Sequence, residues 1–387
     1  MTRIAYIGTY VPQRCGIATY TYHLRKSVEA AKGRKGLDPV MAVRPSGTVF
    51  GHSDDVVFEW DKEDRAAYTR LAERLNKSDV SVVSLQHEFG IFGGKAGEYV
   101  LDLVKKLNKP LAVTFHTVFE HPEEPYRSIQ KEIAVHSDLI LVMNRKATGY
   151  LQRAFDIPAD KIRFVPHGTP EPVPEKREEV RQEAGWSERK VILSFGLLSR
   201  NKGYETVIRA LPDVVRKVPE ALYVIAGQTH PEVRKHEGEA YRNSLNKLIE
   251  DLGLKDHVMM IDRYMEEDEL VGLLSACDLY VTPYPGMQQI TSGTLAYAVG
   301  LGRPVVSTPY AYAVDLLGDQ PELLLAPGDV KQWADAMIRI LSDSEERMRI
   351  ERQMQKIGAE MHWSKVGAKH LSLFRELAES VPYPRAN

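Results

Sequence analysis

The sequence predicts an α/β protein of two domains, each built on a parallel sheet, and three observations carry that expectation. Short β-branched runs alternate with longer amphipathic stretches from the N-terminus onward, the rhythm of strand-helix-strand units. The alternation breaks once, at Pro166-His167-Gly168-Thr169-Pro170-Glu171-Pro172-Val173-Pro174, whose four prolines suit neither a helix interior nor a central strand. It then resumes over a second stretch of similar size, and 387 residues is a length for two or three domains with sizeable cores.

In order along the chain, Arg3–Gly8, Val80–Leu85, Leu111–Phe115, Leu139–Val142 and Ile162–Val165 read as strands of a first domain, residues 1–170. The proline cluster and the charged stretch Glu175–Glu183 read as a hinge, with 171–189 as the linker. In the second domain, 190–362, the expected strands are Val191–Phe195, Leu222–Ala226, Val258–Ile261, Leu279–Thr282, Pro304–Ser307 and Glu322–Leu325. Tyr204–Val218, Ala240–Leu252, Asp268–Ala276 and Val330–Leu341 are the helices expected between them. A helical region from about Glu345 to Glu379 is interrupted near His362-Trp363-Ser364, where Ser364 is expected to cap a last helix starting at Lys365. That segment, 363–387, is expected to cross back to the first domain. Open α/β sheets bind ligands at the carboxyl ends of their strands, so the site is expected in a cleft between the two domains.

Composition excludes several classes. With 51 Lys and Arg against 53 Asp and Glu, a net charge of -2 gives no field that would draw the chain to nucleic acid or anionic lipid. The two cysteines, Cys15 and Cys277, supply neither a disulfide framework nor a zinc cluster and fit a reducing compartment. No signal-peptide pattern precedes the first strand and no apolar run of about 20 residues occurs, so a cytoplasmic protein without an integral membrane segment is expected. No His-x-x-x-His, paired cysteines or Asp-x-Asp pair suggests a metal; the P-loop and the Gly-x-Gly-x-x-Gly fingerprint of nicotinamide enzymes are missing too. No metal and no cofactor is expected.

Two segments read as anion sites. Ser194-Phe195-Gly196-Leu197-Leu198-Ser199-Arg200-Asn201-Lys202-Gly203-Tyr204 places a strand end, two cations and a glycine directly before a helix, where backbone N–H groups and the Lys202 ammonium can converge on phosphate oxygens. As a structural alternative, Arg200 and Lys202 are solvated loop charges. After the strand Leu279–Thr282, the hydroxyls of Thr291, Ser292 and Thr294 crowd around Gly293 where a new helix should begin, a cradle for a diphosphate without a metal. Ordinary N-capping needs only one of those hydroxyls.

These two segments, in this order and about 90 residues apart, resemble the retaining nucleotide-sugar glycosyltransferases of family 4, whose fold is the GT-B pair of Rossmann-like domains facing across a cleft. Further residues carry the resemblance: Gly16 after the first strand, Thr114-Phe115-His116 at a strand end, Pro166-His167-Gly168 at the hinge, Gly196 with Lys202-Gly203, and Gly302-Arg303-Pro304-Val305-Val306. Departures accompany it. Leu197 stands where the family usually has an arginine, with Arg200 as a substitute of open standing, and the Glu-x7-Glu motif falls on Gln289 and Tyr297. Gln289 can still bind hydroxyls through its amide, whereas Tyr297 offers one hydroxyl and more bulk.

The resemblance implies a retaining, metal-independent hexosyltransferase that moves a sugar from a UDP- or GDP-hexose to a carbohydrate or other hydroxyl acceptor. It implies His116 and Lys202 as catalytic residues, with Lys202 and Thr291–Thr294 holding phosphate, Gln289 the donor hydroxyls and His116 the sugar. Gly16, Gly196, Arg200, Gly203, Gln289, Thr291, Ser292, Gly293, Thr294 and Tyr297 are expected to line the substrates. Leu85-Gln86-His87-Glu88-Phe89-Gly90, another strand end, makes His87 and Glu88 candidates for the acceptor side, or simply a hydrogen-bonded pair. Two alternatives stay open: a sugar phosphorylase or sugar 1-phosphate-dependent transferase, which needs no ribose-binding glutamate, and a catalytically silent sugar- or nucleotide-binding protein.

Overall fold

The computed structural model describes residues 2–33, 38–51 and 54–380. The chain divides into two compact units: the first runs to Gly168 and resumes at Trp363, and the second is Thr169–His362.

The first unit holds strands β1 (Ile4–Gly8), β2 (Val40–Arg44), β3 (Val56–Asp61), β4 (Val82–His87), β5 (Leu111–Phe115), β6 (Leu139–Val142) and β7 (Ile162–Phe164). They pair in parallel in the order β3-β2-β1-β4-β5-β6-β7. Helices α1 (Gly16–Lys32), α2 (Arg65–Asn76), α3 (Val100–Val104), α4 (Tyr126–His136) and α5 (Arg145–Phe155) connect them. β1, β4, β5 and β6 are buried along their whole length, the pattern of central strands covered on both faces.

The second unit opens with α6 (Lys176–Glu183) and contains β8 (Lys190–Phe195), β9 (Ala221–Ala226), β10 (Val258–Ile261), β11 (Leu279–Thr282) and β12 (Val305–Ser307). Their order is β10-β9-β8-β11-β12, again parallel throughout. Helices α7 (Tyr204–Lys217), α8 (Pro231–Glu237), α9 (Ala240–Asp251), α10 (Glu267–Ala276), α11 (Gly293–Gly300), α12 (Ala311–Leu317), α13 (Val330–Ser342) and α14 (Ser344–Gly358) complete it. The last helix, α15 (Trp363–Ser380), belongs to the first unit. Its Trp363, Val366, Leu371, Phe374 and Leu377 enter the same core as Tyr20, Leu24 and Val28 of α1. Gly367 is what permits the close approach, since a Cβ there would lie 2.6 Å from the Ser27 backbone.

Both sheets reverse their winding at one place, between β1 and β4 and between β8 and β11. Loops leaving adjacent strands on opposite sides of such a switch point diverge and leave a crevice at the carboxyl ends. The segments after β1, β4, β8 and β11 are therefore the ones the topology selects for ligands.

Several expected elements differ in the structure. Strands β2 and β3 escaped the sequence reading; β3 alternates between exposed and half-buried residues before the buried Trp60 and carries no long apolar run. β4 sits two residues later than expected, which makes His87 its last residue. Glu322–Leu325 is not a strand: Pro321–Leu323 form a 3-10 turn, and only an isolated bridge pairs Leu324 with Ser307, because a proline at the turn's start supplies no N–H to a ladder. α8 and α12 were not foreseen, nor was α6, which forms in the charged stretch read as a hinge. The last helix starts at Trp363, so Ser364 lies inside its first turn and not at its cap. Of the segment 363–387, residues 381–387 lie outside the described residues. No helix among the described residues is long and apolar enough to cross a membrane.

Within 171–189, α6 packs on α10, and an ion triad ties it to Asp278 between α10 and β11. Arg177 Nη2 lies 2.7 Å from Asp278 Oδ1, and Arg181 Nη1 lies 3.2 Å from Asp278 Oδ2, which also accepts the Val191 N–H at 2.8 Å. Arg181 and Asp278 are buried, so removing the carboxylate leaves the Arg181 charge without its counter-ion, among backbone carbonyls alone. The Asp278→Ala variant is expected to lose about 3–5 kcal/mol of stability. Denaturant unfolding of this variant beside Lys331→Ala, an exposed-pair control, checks it; equal midpoints would refute the structural role.

Candidate active site

In the second unit, the loops after β8 and β11 meet. Gly196 follows β8 with φ 133, and the chain then makes a 3-10 turn, Arg200–Lys202, before α7. Gly203 closes that turn at φ 62, a left-handed conformation natural to glycine. A Cβ at Gly203 would also strike the Pro283 carbonyl, so this glycine docks the β8 loop directly on the segment leaving β11. The docking brings Lys202 to Tyr284. Its Nζ lies 4.3 Å from the centre of the Tyr284 ring and 3.2 Å from its hydroxyl.

From there a run of hydroxyls leads to a helix start. The Tyr284 hydroxyl is 2.9 Å from Thr294 Oγ1, which is 3.1 Å from Ser292 Oγ. Ser292 is the N-cap of α11 and accepts the Leu295 N–H at 3.4 Å. The N–H groups of Gly293 and Thr294 have no partner within their own helix, and the helix dipole adds partial positive charge at this end. A threonine methyl also borders Gly196, whose built Cβ would come 3.4 Å from Thr294 Cγ2 and 3.9 Å from Lys202 Nζ. Gly196, Lys202, Ser292 and Thr294 are thus brought together at the start of α11, which joins an ammonium and hydroxyls to the amides of a helix end. Such a point favours an anion.

Sequence reasoning missed Tyr284, the link between the two halves. Its local context, Pro283-Tyr284-Pro285, holds a tyrosine between prolines at the end of a strand but gives no sign of its partner Lys202, 82 positions away. The ring is buried and stacks on Tyr310 with centroids 5.3 Å apart, so it is a fixed rest for the lysine.

The remaining candidates of this unit have other partners. Arg200, with 61% of its side chain exposed, turns to Glu237 at 3.4 Å and to the Tyr241 ring at 5.5 Å. Gln289 is exposed and donates to the Thr291 carbonyl at 2.9 Å. The Tyr297 hydroxyl donates to Glu267 Oε1 at 2.8 Å, so a carboxylate stands beside this position although the sequence places none on it.

In the first unit, His116 follows β5 and is 7% exposed. Its Nε2 lies 3.1 Å from Gln86 Oε1, while the Gln86 amide donates to Ser84 at 3.2 Å. That orientation makes Nε2 the protonated nitrogen of a neutral ring and leaves Nδ1 as an acceptor. Burial, with smaller contributions from His167 and His87, pushes the His116 pKa down to about 3. The ring therefore stays uncharged near neutrality. Glu88 accepts the Thr117 hydroxyl at 2.6 Å and the Phe89 N–H at 2.9 Å; burial raises its carboxyl, and those two donors oppose the rise. Gly16 opens α1, exposed, after Cys15, whose Sγ caps the helix by accepting the Ala18 N–H at 3.4 Å.

The structure corrects the reading of His87 as a substrate-facing residue. Its ring is 0% exposed in an aromatic box of Phe89, Phe92 and Phe115, with centroids 4.8, 6.1 and 5.3 Å away. Burial lowers its pKa to about 3. Ending β4 on the inward face, it fills core volume and reaches no surface. Among the described residues, no three His, Cys, Asp or Glu side chains are grouped to hold a metal ion.

Two parallel Rossmann-like sheets, one with a phosphate-type cradle, are the parts from which GT-B glycosyltransferases are built. Family models match over most of the chain, "Glycosyltransferase Family 4" at residues 16–171 and "Glycosyl transferases group 1" at residues 176–357, and the chain belongs to this glycosyltransferase family. It is 24% identical over 302 residues to an alpha-D-kanosaminyltransferase of Streptomyces kanamyceticus, covering 73% of this chain and 75% of that one. It is 25% identical over 260 residues to a GDP-mannose-dependent alpha-(1-6)-phosphatidylinositol monomannoside mannosyltransferase of Mycobacterium tuberculosis, 64% of either chain. Among solved structures, Anabaena HepE in complex with UDP and glucose superposes with a TM-score of 0.73 at 15% identity, over 97% of this chain and 100% of that one.

His87, His116, His167 and His370 all lie in the first unit, and burial depresses each of them, to about 3 or 4. Unfolding releases them to an ordinary pKa near 6.5, so the unfolded chain binds more protons below that pH. Their contribution is complete above pH 6.5 and is lost as pH falls toward 4, at up to about 1.4 kcal/mol per pH unit for each ring. Pulse proteolysis at pH 7.5 and 5.5 is expected to release first-unit fragments at lower denaturant in acid; an unchanged midpoint would contradict the burial of these rings.

Proposed function

We propose that this glycosyltransferase is a retaining, metal-independent hexosyltransferase that takes its sugar from a UDP- or GDP-hexose. The observation that carries the reading is the convergence of Lys202, the Tyr284 and Thr294 hydroxyls and the Ser292-capped start of α11 at the β8–β11 switch point. Similar proteins lend support: one is named as GDP-mannose-dependent, and another was solved with UDP and glucose.

In this reading the second unit holds the diphosphate and the first holds the acceptor. The bond from the anomeric carbon to the phosphate oxygen breaks while a bond from that carbon to the acceptor oxygen forms on the same face. The acceptor's proton passes to the departing phosphate oxygen, so no strong protein base is needed. Negative charge that grows on the diphosphate is met by Lys202 and the amides of Gly293 and Thr294, which are already oriented before the reaction. Arg200 is a second cation within the same loop, and its exposed pair with Glu237 costs little to break. Gln289 offers its amide to donor hydroxyls, Thr291 borders the cradle, and Tyr297 with Glu267 presents a hydroxyl and a carboxylate. His116, neutral and fixed by Gln86, accepts a sugar hydroxyl through Nδ1 and does not act as an acid. Glu88 and the loop opening at Gly16 lie on the acceptor side. A cytoplasmic site of action accords with the two unpaired cysteines.

Lys202→Met removes a charge-assisted contact worth about 1.5–3 kcal/mol, so calorimetry should find UDP or GDP bound roughly 10- to 100-fold more weakly. Thr294→Val removes a neutral hydrogen bond and should lose about tenfold or less. Transfer is expected to survive EDTA. Unaltered nucleotide binding in Lys202→Met, or a demand for a divalent cation, would defeat the reading. Binding of inorganic phosphate or sugar 1-phosphates but of no nucleotide would transfer the fold to a phosphorylase-type reaction.

A further inference from the structure

We propose that the first unit carries a stacking site for a neutral or amino-substituted pyranose acceptor, formed by Phe119 and Tyr126 beside Glu88 and Thr117. The proposal rests on the reading of this unit as the acceptor side and names the chemical class that it takes.

Three aromatic rings assemble where β4 and β5 end. Phe89, in the 3-10 turn after β4, is buried and serves as the seat. Tyr126, the first residue of α4, meets it edge-on with centroids 4.9 Å apart, and Phe119 lies nearly parallel to it at 5.9 Å. Phe119 and Tyr126 are 5.6 Å apart and inclined by 62°. Unlike their seat, these two reach the surface: Phe119 is half-buried and Tyr126 is 39% exposed. Two aromatic rings held by a third and partly reached by solvent offer a fixed apolar surface to a ligand.

The surface beside them is polar and equally fixed. Thr117 donates its hydroxyl to Glu88 and accepts the Gln130 amide on its carbonyl at 2.7 Å, which ties the β5 end to α4. The Glu88 carboxylate has about four lone-pair sites, of which the Phe89 N–H and the Thr117 hydroxyl use two. It can accept further hydroxyls. A pyranose matches both halves of this surface: its C–H face carries slight positive charge that suits the negative face of an aromatic ring, and its hydroxyls turn outward to the carboxylate.

Charge narrows the class. The loop 117–125 carries Glu120, Glu123 and Glu124 and no lysine or arginine. Arg153 stands 3.9 Å from Glu120, and the Glu124 carboxylate accepts the Ser128 N–H at 3.3 Å, while Arg127 follows Tyr126 at the exposed start of α4. With Glu88 included, carboxylates outnumber cations here, so a phosphorylated or carboxylated acceptor meets repulsion and a neutral or amino sugar does not.

Saturation-transfer NMR on the full chain, with UDP present and absent, tests this with methyl α-D-glucopyranoside, methyl α-D-mannopyranoside, glucosamine and glucose 6-phosphate as probes. At least one uncharged or amino sugar is expected to bind through its ring protons and glucose 6-phosphate to bind at least tenfold more weakly. Phe119→Ala and Tyr126→Ala should each weaken the sugar tenfold or more, whereas Tyr126→Phe, which keeps the ring, should stay within twofold. Circular dichroism and calorimetric UDP binding report whether each variant is folded. Wild type that binds none of the sugars, alanine variants that bind as wild type does, or preference for the phosphorylated probe overturns the proposal. Absence of UDP and GDP binding with sugar binding intact would instead defeat the donor reading alone.

Discussion

Lys202 rests on the Tyr284 ring because Gly203 lets the loop after β8 close against Pro283, and much of what the second unit offers a ligand depends on that closure. Without it the ammonium would be one more solvated loop charge. With it, the charge stands at the end of a hydroxyl run leading to the amides of α11, and each member constrains the next. The strand order makes this possible. Loops after β8 and β11 are neighbours only because the sheet reverses between those strands, so the backbone topology supplies the crevice and a few side chains supply its chemistry.

The first unit meets a different requirement. Its strand ends carry histidines, yet burial holds these rings neutral, and Gln86 fixes the proton of His116 on Nε2. A neutral, oriented imidazole is a hydrogen-bond partner that does not change state across the physiological range. Chemistry that sheds negative charge needs cations and amide groups, whereas binding a hydroxyl needs acceptors that keep their geometry. In the proposed reading the units divide these roles, with an ammonium and a helix start in one and a carboxylate, a neutral ring and aromatic faces in the other.

The architecture was largely legible in the sequence because parallel strands buried on both faces read as short β-branched runs, and ten of the twelve strands lie at or near runs of that kind. The edge strand β3 and its neighbour β2 were not, since β3 half-faces solvent and carries no such run. The anion cradle was legible in part. Lys202, Ser292 and Thr294 stood out as residue types beside helix starts, but Tyr284 joins them through space over 82 positions of sequence, and no local pattern encodes that. His87 misled for the opposite reason. A histidine beside a glutamate at a strand end looks functional, yet β4 runs on through His87 and places it within the buried sheet, where packing decides. The aromatic trio of Phe89, Phe119 and Tyr126 gave no signal at all, because three rings from three separate segments form no periodic pattern.

The positions without their expected carboxylates give a last constraint. Gln289 and Tyr297 lack negative charge, but Tyr297 donates to Glu267 at the start of α10, so a carboxylate is retained next to α11 on a different element. A carboxylate carried there is offset from the helix that caps the anion cradle, and it stands with its own helix start, where negative charge is favoured. The effect is to separate the Glu267 carboxylate from the amides at the start of α11, which the proposed reading assigns to phosphate, by one tyrosine side chain. Negative charge placed directly on α11 would oppose the anion that this helix end attracts. Moving it to Glu267 keeps the hydrogen-bond acceptor while lessening that opposition, which is a physical reason for a bulky phenol to occupy a position where a shorter acid would otherwise serve.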